Sequence, residues 1–450
     1  MATDLTQGPV GPLLMRFAVP FVLANLLQTV YGIVDASIVG HFVGADGLSA
    51  VSTCGELITM YTFLAIGFGS AGQTMIGQLS GAGEHKRIND TIGTLFTCLF
   101  GLAVLVTGFC FATWRWQLGL INLPQEAMQG GKQYLLVCAS GMVFIFGYNL
   151  VSAILRGMGD SKRPLVFVAI AALTNVVLDL LFVPVCGMGV FGAALATVMG
   201  QALSFVVSLI YLYRHRQQFG FDFRLQSFRP NGTLLKTAFK LGIPMSAQGV
   251  LVCASMLFIC AQANAFGVAA SAANGIQLKL CSIVRVISSS MQNASAAMIA
   301  QCIGAKKNDR VHEIIRWGFG ISLVGCLACA GALLLWPRAI FSIFNSEEAV
   351  LAYAAVYAWY GAGDYFGYAL RVPFNGLTYG TGAAGLGMIS GLVDGVISRI
   401  AFSVLFGNVL GMGVAGYWLG NMVAGYTSVL IQAPYYFTGA WKRKKLELGE

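Results

Sequence analysis

The chain has 450 residues, of which 57% are hydrophobic and only 10% are charged. A soluble protein carries about a quarter charged residues, so this composition excludes an ordinary soluble globular protein. The net charge of +9 would suit a nucleic-acid partner, but the basic residues lie in the loops between apolar runs, and no nucleic-acid partner is expected.

Apolar runs of roughly 20 residues, each long enough to cross a hydrocarbon core of about 30 Å, recur along the whole chain. We identify about twelve of them, near residues 12–40, 48–78, 90–113, 128–153, 161–186, 190–213, 235–264, 270–302, 312–336, 348–372, 383–408 and 412–438. The sequence therefore predicts an all-α integral membrane protein with about twelve transmembrane helices.

Basic residues distribute unequally between the two sides of the membrane. If the first helix leaves the cytoplasm, loops assigned by parity place 20 of the 27 Lys and Arg residues on the cytoplasmic side. Such a bias fixes orientation, because positively charged loops stay in the cytoplasm. We expect a multi-pass protein of the inner (plasma) membrane with both termini in the cytoplasm.

The first predicted helix carries a polar stripe. Gln28, Tyr31 and Asp35 follow at spacings i, i+3 and i+7, which puts them on one helical face. Asp35 lies about one and a half turns before the predicted exit near His41, and therefore in the outer part of the membrane.

Helices four to six place further polar groups at the same depth. Tyr134 lies near the outer end of the fourth helix, Asn175 and Asp179 are one turn apart in the fifth, and Thr197 is in the sixth. A buried charge costs several kcal/mol unless it has a partner, so such acids often mark an ion or proton path. Oxygen ligands of this kind suit Na⁺, and two neighbouring carboxylates suit proton storage equally. The alternative is a set of hydrogen bonds between helices that only stabilises the structure.

The second half of the chain repeats the first. At a shift of 223 residues, GQLSGAGEHKR at 77–87 aligns with AQCIGAKKNDR at 300–310, and Gly157-Met158-Gly159 aligns with Gly380-Thr381-Gly382. At a shift of 224, Pro20 meets Pro244 and GMGV at 187–190 meets GMGV at 411–414. Each half holds about six helices, so the halves share their orientation and form a parallel repeat. The predicted segments are a lobe at 1–213, a linker at 214–234, a lobe at 235–438 and a basic tail at 439–450.

Polar residues in the second half follow a different pattern. At the 224 shift, Asn175 and Asp179 meet Arg399 and Ser403, so the ion site belongs to one lobe. Local pairs of Asp394 with Arg399, and of Asp364 with Arg371, are expected to be structural or to line a cavity. Lys279 and Arg285 are unusual in a cation exporter, and if they line the cavity they favour anionic or zwitterionic substrates.

Three motifs resemble the multidrug and toxic compound extrusion (MATE) family, and the resemblance covers nearly the whole chain. The motifs are Val34-Asp35 followed by Val39-Gly40, the loop Leu155-Arg156-Gly157-Met158-Gly159-Asp160-Ser161-Lys162, and the pair Asn175 to Asp179 with Gly192 to Thr197, which is similar to the DinF-like branch. The resemblance implies a cation site in the N-terminal lobe at Asp35, Asn175, Asp179 and Thr197. It also implies cavity residues at Gln28, Tyr31 and Tyr134, and a bend in the first helix at Pro20. Another branch of the family uses acidic residues on helices seven and ten, and this chain departs from that pattern: helix seven offers Gln248 instead of an acid, and Asp364 on helix ten lies about a turn from the family position. Gln248 and Asp364 are expected to be structural or to line the cavity.

We therefore expect a Na⁺- or H⁺-coupled antiporter that exports organic, cationic molecules, and not an enzyme. Its expected partners are a small organic substrate, the coupling cation and the lipid bilayer, with a monomeric protein and no cofactor. The alternative within transport is a flippase of lipid-linked precursors or oligosaccharides, which would need a strongly basic cavity. A pump driven by ATP is disfavoured because no G-x-x-x-x-G-K-[ST] loop is present. An intramembrane enzyme is disfavoured because the four histidines fall in loops or at helix ends.

Overall fold

The computed structural model describes residues 3–121, 123–444 and 446–448, and every regular element within these ranges is a helix. The predicted all-α membrane fold is confirmed. The six long segments of the N-terminal half are α1 (Val10–Phe42), α2 (Ala45–Ala82), α3 (His85–Leu120), α4 (Met128–Ser140 and Met142–Gly157), α5 (Lys162–Leu180) and α6 (Gly189–Arg214). The two parts of α4 meet at a 48° bend.

The C-terminal half contains six further long segments. They are α7 (Gly232–Asn264), α8 (Val268–Gly304), α9 (Asn308–Leu335), α10 (Glu348–Gly380), α11 (Ala384–Leu392 and Arg399–Val404) and α12 (Val414–Phe437). Two π-helical stretches, Val393–Ser398 and Leu405–Val409, complete α11. Short helices at Arg216–Phe219, Leu225–Phe228, Pro337–Ser342 and Ala440–Arg443 occupy the connections.

Three of the segments are more polar than typical membrane spans. Among the described residues, eight helices are long and apolar enough to cross a bilayer, and the bent pair of α4 makes a ninth. The remaining long segments are α8, α10 and α12, which carry many Gly, Ser, Asn and Tyr residues. They pack on one another, since α10 contacts both α8 and α12. Polar and small side chains are favourable there because they face protein instead of lipid.

The two halves repeat each other even in their irregular turns. A π-helical stretch at Leu181–Val185 ends α5, and its counterpart at Leu405–Val409 lies 224 positions later. Gly187 and Gly411 have φ angles of 65° and 67° at equivalent places after these stretches. Glycine adopts such angles without the steric cost that a Cβ brings. The duplication inferred from the sequence is therefore present in the backbone.

Contacts group the chain into two compact units that do not follow the repeat boundary. One unit contains Val19–Ser246, and the other contains Leu5–Ala18 and Ala247–Lys445. The division therefore falls inside α1 beside Pro20 and inside α7 beside Pro244. Each proline removes a backbone donor from its helix. The predicted boundaries of the lobes, the linker and the tail stay predictions.

The loop between α4 and α5 has a structural role that explains its acidic residue. Oδ1 of Asp160 accepts hydrogen bonds from the backbone N–H groups of Lys162 and Arg163, at 3.1 and 3.2 Å. The carboxylate thereby satisfies N–H groups that the first turn of α5 leaves free. Gly159, with φ of 86°, lies so close to Thr3 that a Cβ would stand 2.2 Å from the Thr3 carbonyl oxygen. The motif therefore fixes the start of the helix that carries Asp179.

The segment after α6 packs on α3. Oγ1 of Thr97 donates to the Phe228 carbonyl at 2.6 Å, and the backbone N–H of Asn231 donates to Oγ1 of Thr94 at 3.1 Å. The Ser227 hydroxyl donates to Asp222 at 2.6 Å and holds the pKa of that carboxyl below its usual range. These contacts give the predicted linker a defined course.

Candidate cation site

Small residues let α5 and α6 approach closely at the level of the predicted site. A Cβ on Gly200 would stand 2.9 Å from the Ala171 carbonyl oxygen and 3.3 Å from Cβ of Asn175. A glycine is therefore required for this backbone contact. It places Thr197, one turn before Gly200, opposite Asn175.

The two helices are joined by a polar contact. Nδ2 of Asn175 donates to Oγ1 of Thr197 at 3.4 Å, and the Thr197 hydroxyl donates to the Ala193 carbonyl at 3.0 Å. Asn175 and Asp179 are both buried, and Asp179 has no exposed surface. The spacing i, i+4 places both side chains on one face of α5, as the sequence indicates.

Asp35 of α1 joins this cluster. Its carboxyl group lies beside the Asp179 carboxyl group and interacts with it electrostatically. Two neighbouring ionised carboxylates repel each other, and neither can donate a hydrogen bond. The pair therefore needs a shared proton or a cation between its oxygens.

The cluster contains acceptor atoms that the described protein leaves without a donor. These atoms are Oδ1 of Asp35, Oδ1 of Asn175 and both carboxylate oxygens of Asp179. The Asn175 amide, which donates to Thr197, also lies beside Asp179 and is its nearest polar neighbour on α5. An unsatisfied buried acceptor costs about 1–3 kcal/mol, and more when it is charged. Four such oxygens close together can bind a small hard cation or a proton.

The remaining residues predicted in this half have different surroundings. Tyr134 is buried in α4 and interacts electrostatically with Asp35, Tyr31 and Asp179. Tyr31 is half-buried on α1, whereas Gln28, one turn earlier, is exposed. Their role in lining a cavity stays a prediction.

Pro20 is buried within α1, and the helix continues through it from Val10 to Phe42. The bend that the family resemblance implies at this residue stays a prediction.

At the equivalent position of the C-terminal half, a side chain of the protein supplies a positive charge. Arg399 is the counterpart of Asn175, and Asn421 is the counterpart of Thr197, each 224 positions later. Nη1 of Arg399 donates to Oδ1 of Asn421 at 2.7 Å, and its Nη2 lies 3.0 Å from Oδ1 of Asp394. The same contact between helices is kept, but here a guanidinium replaces the amide.

Arg371 extends this arrangement into a buried ionic network. Its guanidinium lies 3.6 Å from Asp364 and 3.4 Å from Asp394. Nδ2 of Asn421 also donates to Oδ2 of Asp364 at 3.3 Å. The expected pairs of Asp364 with Arg371 and Asp394 with Arg399 are both present, and Arg371 joins them. Two acids and two bases thus balance each other inside this half.

Gln248 is half-buried on α7 and accepts a hydrogen bond from the Tyr379 hydroxyl at 2.6 Å. A Cβ on Gly391 would stand 2.5 Å from Cγ of Gln248, so α11 packs directly on this side chain. The predicted cavity residue therefore belongs to an interface among helices of the C-terminal half.

Sequence reasoning did not identify Gly200 or Asn421. The repeat offered a signal for Asn421, because the shift of 224 pairs it with Thr197. Gly200 gave no comparable signal, since the chain contains 56 glycines and only the packing distinguishes this one.

Comparison with known proteins identifies a family. The family model MatE matches residues 20–181 and again residues 244–405, so the second match begins and ends 224 positions after the first. "Probable multidrug resistance protein YpnP" of Bacillus subtilis is 29% identical over 99% of both chains. "Multidrug export protein MepA" of Staphylococcus aureus is 21% identical over 87% of this chain and 86% of its own length.

Solved structures show the same fold. A MOP superfamily transporter from Pyrococcus furiosus superposes with a TM-score of 0.91 at 19% identity, covering 99% of this chain and 100% of its own. A multidrug resistance MATE family transporter in an outward-facing conformation gives a TM-score of 0.88 at 20% identity, with coverage of 99% and 100%. Both likenesses support the architecture of twelve helices.

Proposed function

Because the chain belongs to the MatE (multidrug and toxic compound extrusion) family of efflux transporters, we propose that it exports small organic molecules in exchange for Na⁺ or H⁺. The coupling cation binds at Asp35, Asn175, Asp179 and Thr197 in the N-terminal half. The segment from Asn175 to Asp179, together with Thr197, resembles the pattern of the DinF-like branch, and this resemblance supports the assignment.

One observation carries the proposal. The buried oxygens of Asp35, Asn175 and Asp179 point into a cluster in which the described protein supplies them no donor. Carboxylates buried without a partner are strongly unfavourable, so such a cluster is stable only when a cation or proton is bound. In the equivalent place of the other half, Arg399 already supplies the positive charge.

Coupling follows from the competition of two cations for shared acids. A cationic substrate from the cytoplasm interacts with Asp35 and Asp179 while these are free of the coupling cation. Na⁺ or H⁺ entering from outside then binds the same carboxylates and weakens the interaction with substrate. Binding at linked sites is reciprocal, so the gradient of one cation drives the export of the other.

The other residues of the site serve the substrate and the conformational change. Gln28, Tyr31, Tyr134, Gln248 and Asp364 are proposed to contact or surround the path of the substrate. Pro20 is proposed as the position where α1 bends, because it removes a backbone hydrogen bond from the helix.

We further propose that the protein acts in the cytoplasmic membrane as a monomer with both termini in the cytoplasm and without a cofactor. The bias of Lys and Arg toward one side supports the orientation. A flippase of lipid-linked sugars is not favoured, because the cluster in the N-terminal half is acidic and the named relatives are multidrug proteins.

The test is export of a fluorescent organic cation from vesicles that contain the purified protein. A Na⁺ gradient and a pH gradient are imposed separately, with the membrane potential clamped in both cases. We expect one of them to accelerate export, and the driving ion identifies the coupling cation. An export rate that neither the Na⁺ gradient nor the pH gradient changes would contradict antiport.

A further inference from the structure

The loop before α11 repeats the loop before α5 in its backbone but not in its charge. Each loop contains a glycine with a positive φ, Gly159 at 86° and Gly382 at 72°. The next residue, Asp160 in one half and Ala383 in the other, donates its backbone N–H to the carbonyl five residues earlier, at 2.8 and 2.9 Å. Asp160 and Ala383 are therefore equivalent positions, and the second half lacks the carboxylate.

In the first half this carboxylate joins α5 to α6. Its Oδ1 accepts hydrogen bonds from the backbone of Lys162 and Arg163. Its Oδ2 accepts one from the Tyr211 hydroxyl of α6 at 3.4 Å. The Arg163 guanidinium lies over the Tyr211 ring, 4.9 Å from its centroid. A negative charge thus lies at the junction of these two helices.

The second half keeps the tyrosine and has a pocket beside it. Tyr435 of α12 is the counterpart of Tyr211, 224 positions later, and its hydroxyl donates to Oγ1 of Thr381 at 3.1 Å. A pocket of about 460 Å³ lies between the first turn of α11 and the last turn of α12, and both Ala383 and Tyr435 line it. The alanine side chain has no acceptor atom that could replace the Asp160 carboxylate. This junction therefore has room for an anion that is not part of the protein.

The C-terminal tail brings a positive charge to the pocket. Lys444 lines it, and none of the ion pairs in the described ranges of the chain includes this lysine. Trp441, three residues earlier, is fully buried, and its ring lies 5.4 Å from that of His312 on α9. The backbone N–H of Lys444 donates to the Trp441 carbonyl at 3.3 Å. The buried tryptophan therefore holds the tail in place, with the Lys444 side chain at the pocket.

The remaining lining is largely apolar, which suits a lipid better than a free ion. Leu386, Ile431 and Pro434 contribute side chains without charge or hydrogen-bond donors. Leu430 and Phe437 of α12 are large, exposed apolar side chains next to this lining. The pocket lies where the membrane span of α11 begins, and therefore near the level of the lipid headgroups. One side of the pocket thus borders hydrocarbon, and the other borders the basic tail.

We propose that this pocket binds the phosphate of an anionic phospholipid, with Lys444 as the charged contact. The phosphate occupies the position that the Asp160 carboxylate has in the first half, and the acyl chains extend along Leu386 and Ile431. An ammonium and a phosphate form a charge-assisted hydrogen bond, which is stronger than a neutral one. Lys442 and Arg443, both exposed beside the pocket, add the positive potential that attracts anionic lipids to a membrane surface. This lipid site is a property beyond the transport function proposed above.

The test measures lipid binding to the purified full-length protein by native mass spectrometry, in which each bound lipid adds its own mass. Phosphatidylglycerol is the anionic probe, and phosphatidylcholine with the same acyl chains is the probe without net charge. Titration gives Kd for the first bound lipid of each kind. We expect phosphatidylglycerol to bind about tenfold more tightly, the effect of one charge-assisted hydrogen bond. Equal affinity for the two lipids would overturn the proposal.

Two variants test the pocket from opposite directions. Lys444→Gln should raise Kd for phosphatidylglycerol about tenfold, to the value for phosphatidylcholine. Ala383→Asp keeps every lysine but restores the carboxylate of the first half, so it should weaken phosphatidylglycerol in the same way. Lys442→Gln is the matched control, because it removes the same charge from an exposed residue of the tail. An unchanged preference in either pocket variant, or an equal loss in Lys442→Gln, would contradict the site.

Inorganic phosphate distinguishes a lipid site from a site for a free anion. It lacks the acyl chains that contact Leu386 and Ile431, so millimolar phosphate should leave the bound phosphatidylglycerol in place. Displacement of the lipid by phosphate at that concentration would overturn the assignment to a lipid. Binding is measured without an ion gradient or a transported dye, so the result does not depend on whether the protein is an antiporter.

Discussion

Asp179 and Ser403 occupy equivalent positions in the two halves, and so do Asn175 and Arg399. In the first half Asp179 is buried, and its oxygens have no hydrogen-bond donor among the described residues. In the second half the guanidinium of Arg399 is itself the positive charge, held by Asp394 and Asn421. Two exchanges of residues therefore distinguish the proposed ion-binding position from a closed ionic contact.

Replacing Arg399 by Gln should destabilise the protein by about 3–5 kcal/mol, because it leaves two buried carboxylates, Asp364 and Asp394, to share the single guanidinium of Arg371. Thermal unfolding of the purified protein in detergent measures this as a clear fall in Tm. Arg338→Gln removes the same charge from an exposed pair and should change stability by no more than about 1 kcal/mol. Equal Tm values for the two variants would show that the network does not stabilise the fold.

At the scale of the helices, the approach of α5 to α6 determines whether the site can form. A Cβ at position 200 would stand only 2.9 Å from the Ala171 carbonyl oxygen. The glycine thereby holds Thr197 next to Asn175. The contact at Gly200 therefore determines both the distance between α5 and α6 and the position of Thr197 beside Asn175.

Gly200→Ala should weaken binding of the coupling cation about tenfold, because the helices must separate and a ligand shift of about 1 Å is costly in such sites. The protection of the protein against heat by Na⁺ or by low pH, titrated in detergent, measures the affinity. Gly108→Ala on α3 is the control, since nothing lies within 4 Å of its Cβ position. Cation affinity equal to that of the wild type would argue against this packing.

The contact of the linker with α3 depends on another glycine. A Cβ at Gly93 would stand 1.7 Å from the Ser227 carbonyl oxygen, which no side-chain rotation can relieve. Gly93→Ala should release the linker and speed cleavage by trypsin after Arg224, the basic residue of this segment that precedes Leu225. Gly101→Ala, which has open space around its Cβ, should be cut at the wild-type rate. Equal cleavage rates in both variants would contradict the docked linker.

Much of this organisation can be predicted from the sequence, and the reasons are physical. Each predicted span matches a helix because the bilayer requires long apolar runs, as in α5, expected near 161–186 and found at Lys162–Leu180 with its π-helical extension. The bend in α4 and the π-helical stretch after Asp179 were not predicted, since they depend on backbone hydrogen bonding. The close contact at Gly200 depends on tertiary packing, which hydropathy does not report.

At the scale of the whole molecule, one scaffold is used twice with opposite chemistry. The family match itself recurs after 224 residues, and the π-helical stretches recur at the same interval. The first half keeps two acids without bases, at Asp35 and Asp179. The second half balances Asp364 and Asp394 internally with Arg371 and Arg399. This asymmetry is the reason that the proposed cation site is assigned to the first half alone.

The central claim is that the oxygens around Asp179 bind the coupling cation. The most direct test is the rate of dye export driven by the effective gradient in vesicles that hold wild-type protein, Asp179→Asn or Asp46→Asn. Asp46 is exposed at the start of α2, so its variant controls for loss of the same charge. We predict that Asp179→Asn folds with unchanged yield but loses at least about 90% of gradient-driven export, as expected when a charged ligand is removed. Asp46→Asn should retain it. Wild-type export by a folded Asp179→Asn protein would contradict the account.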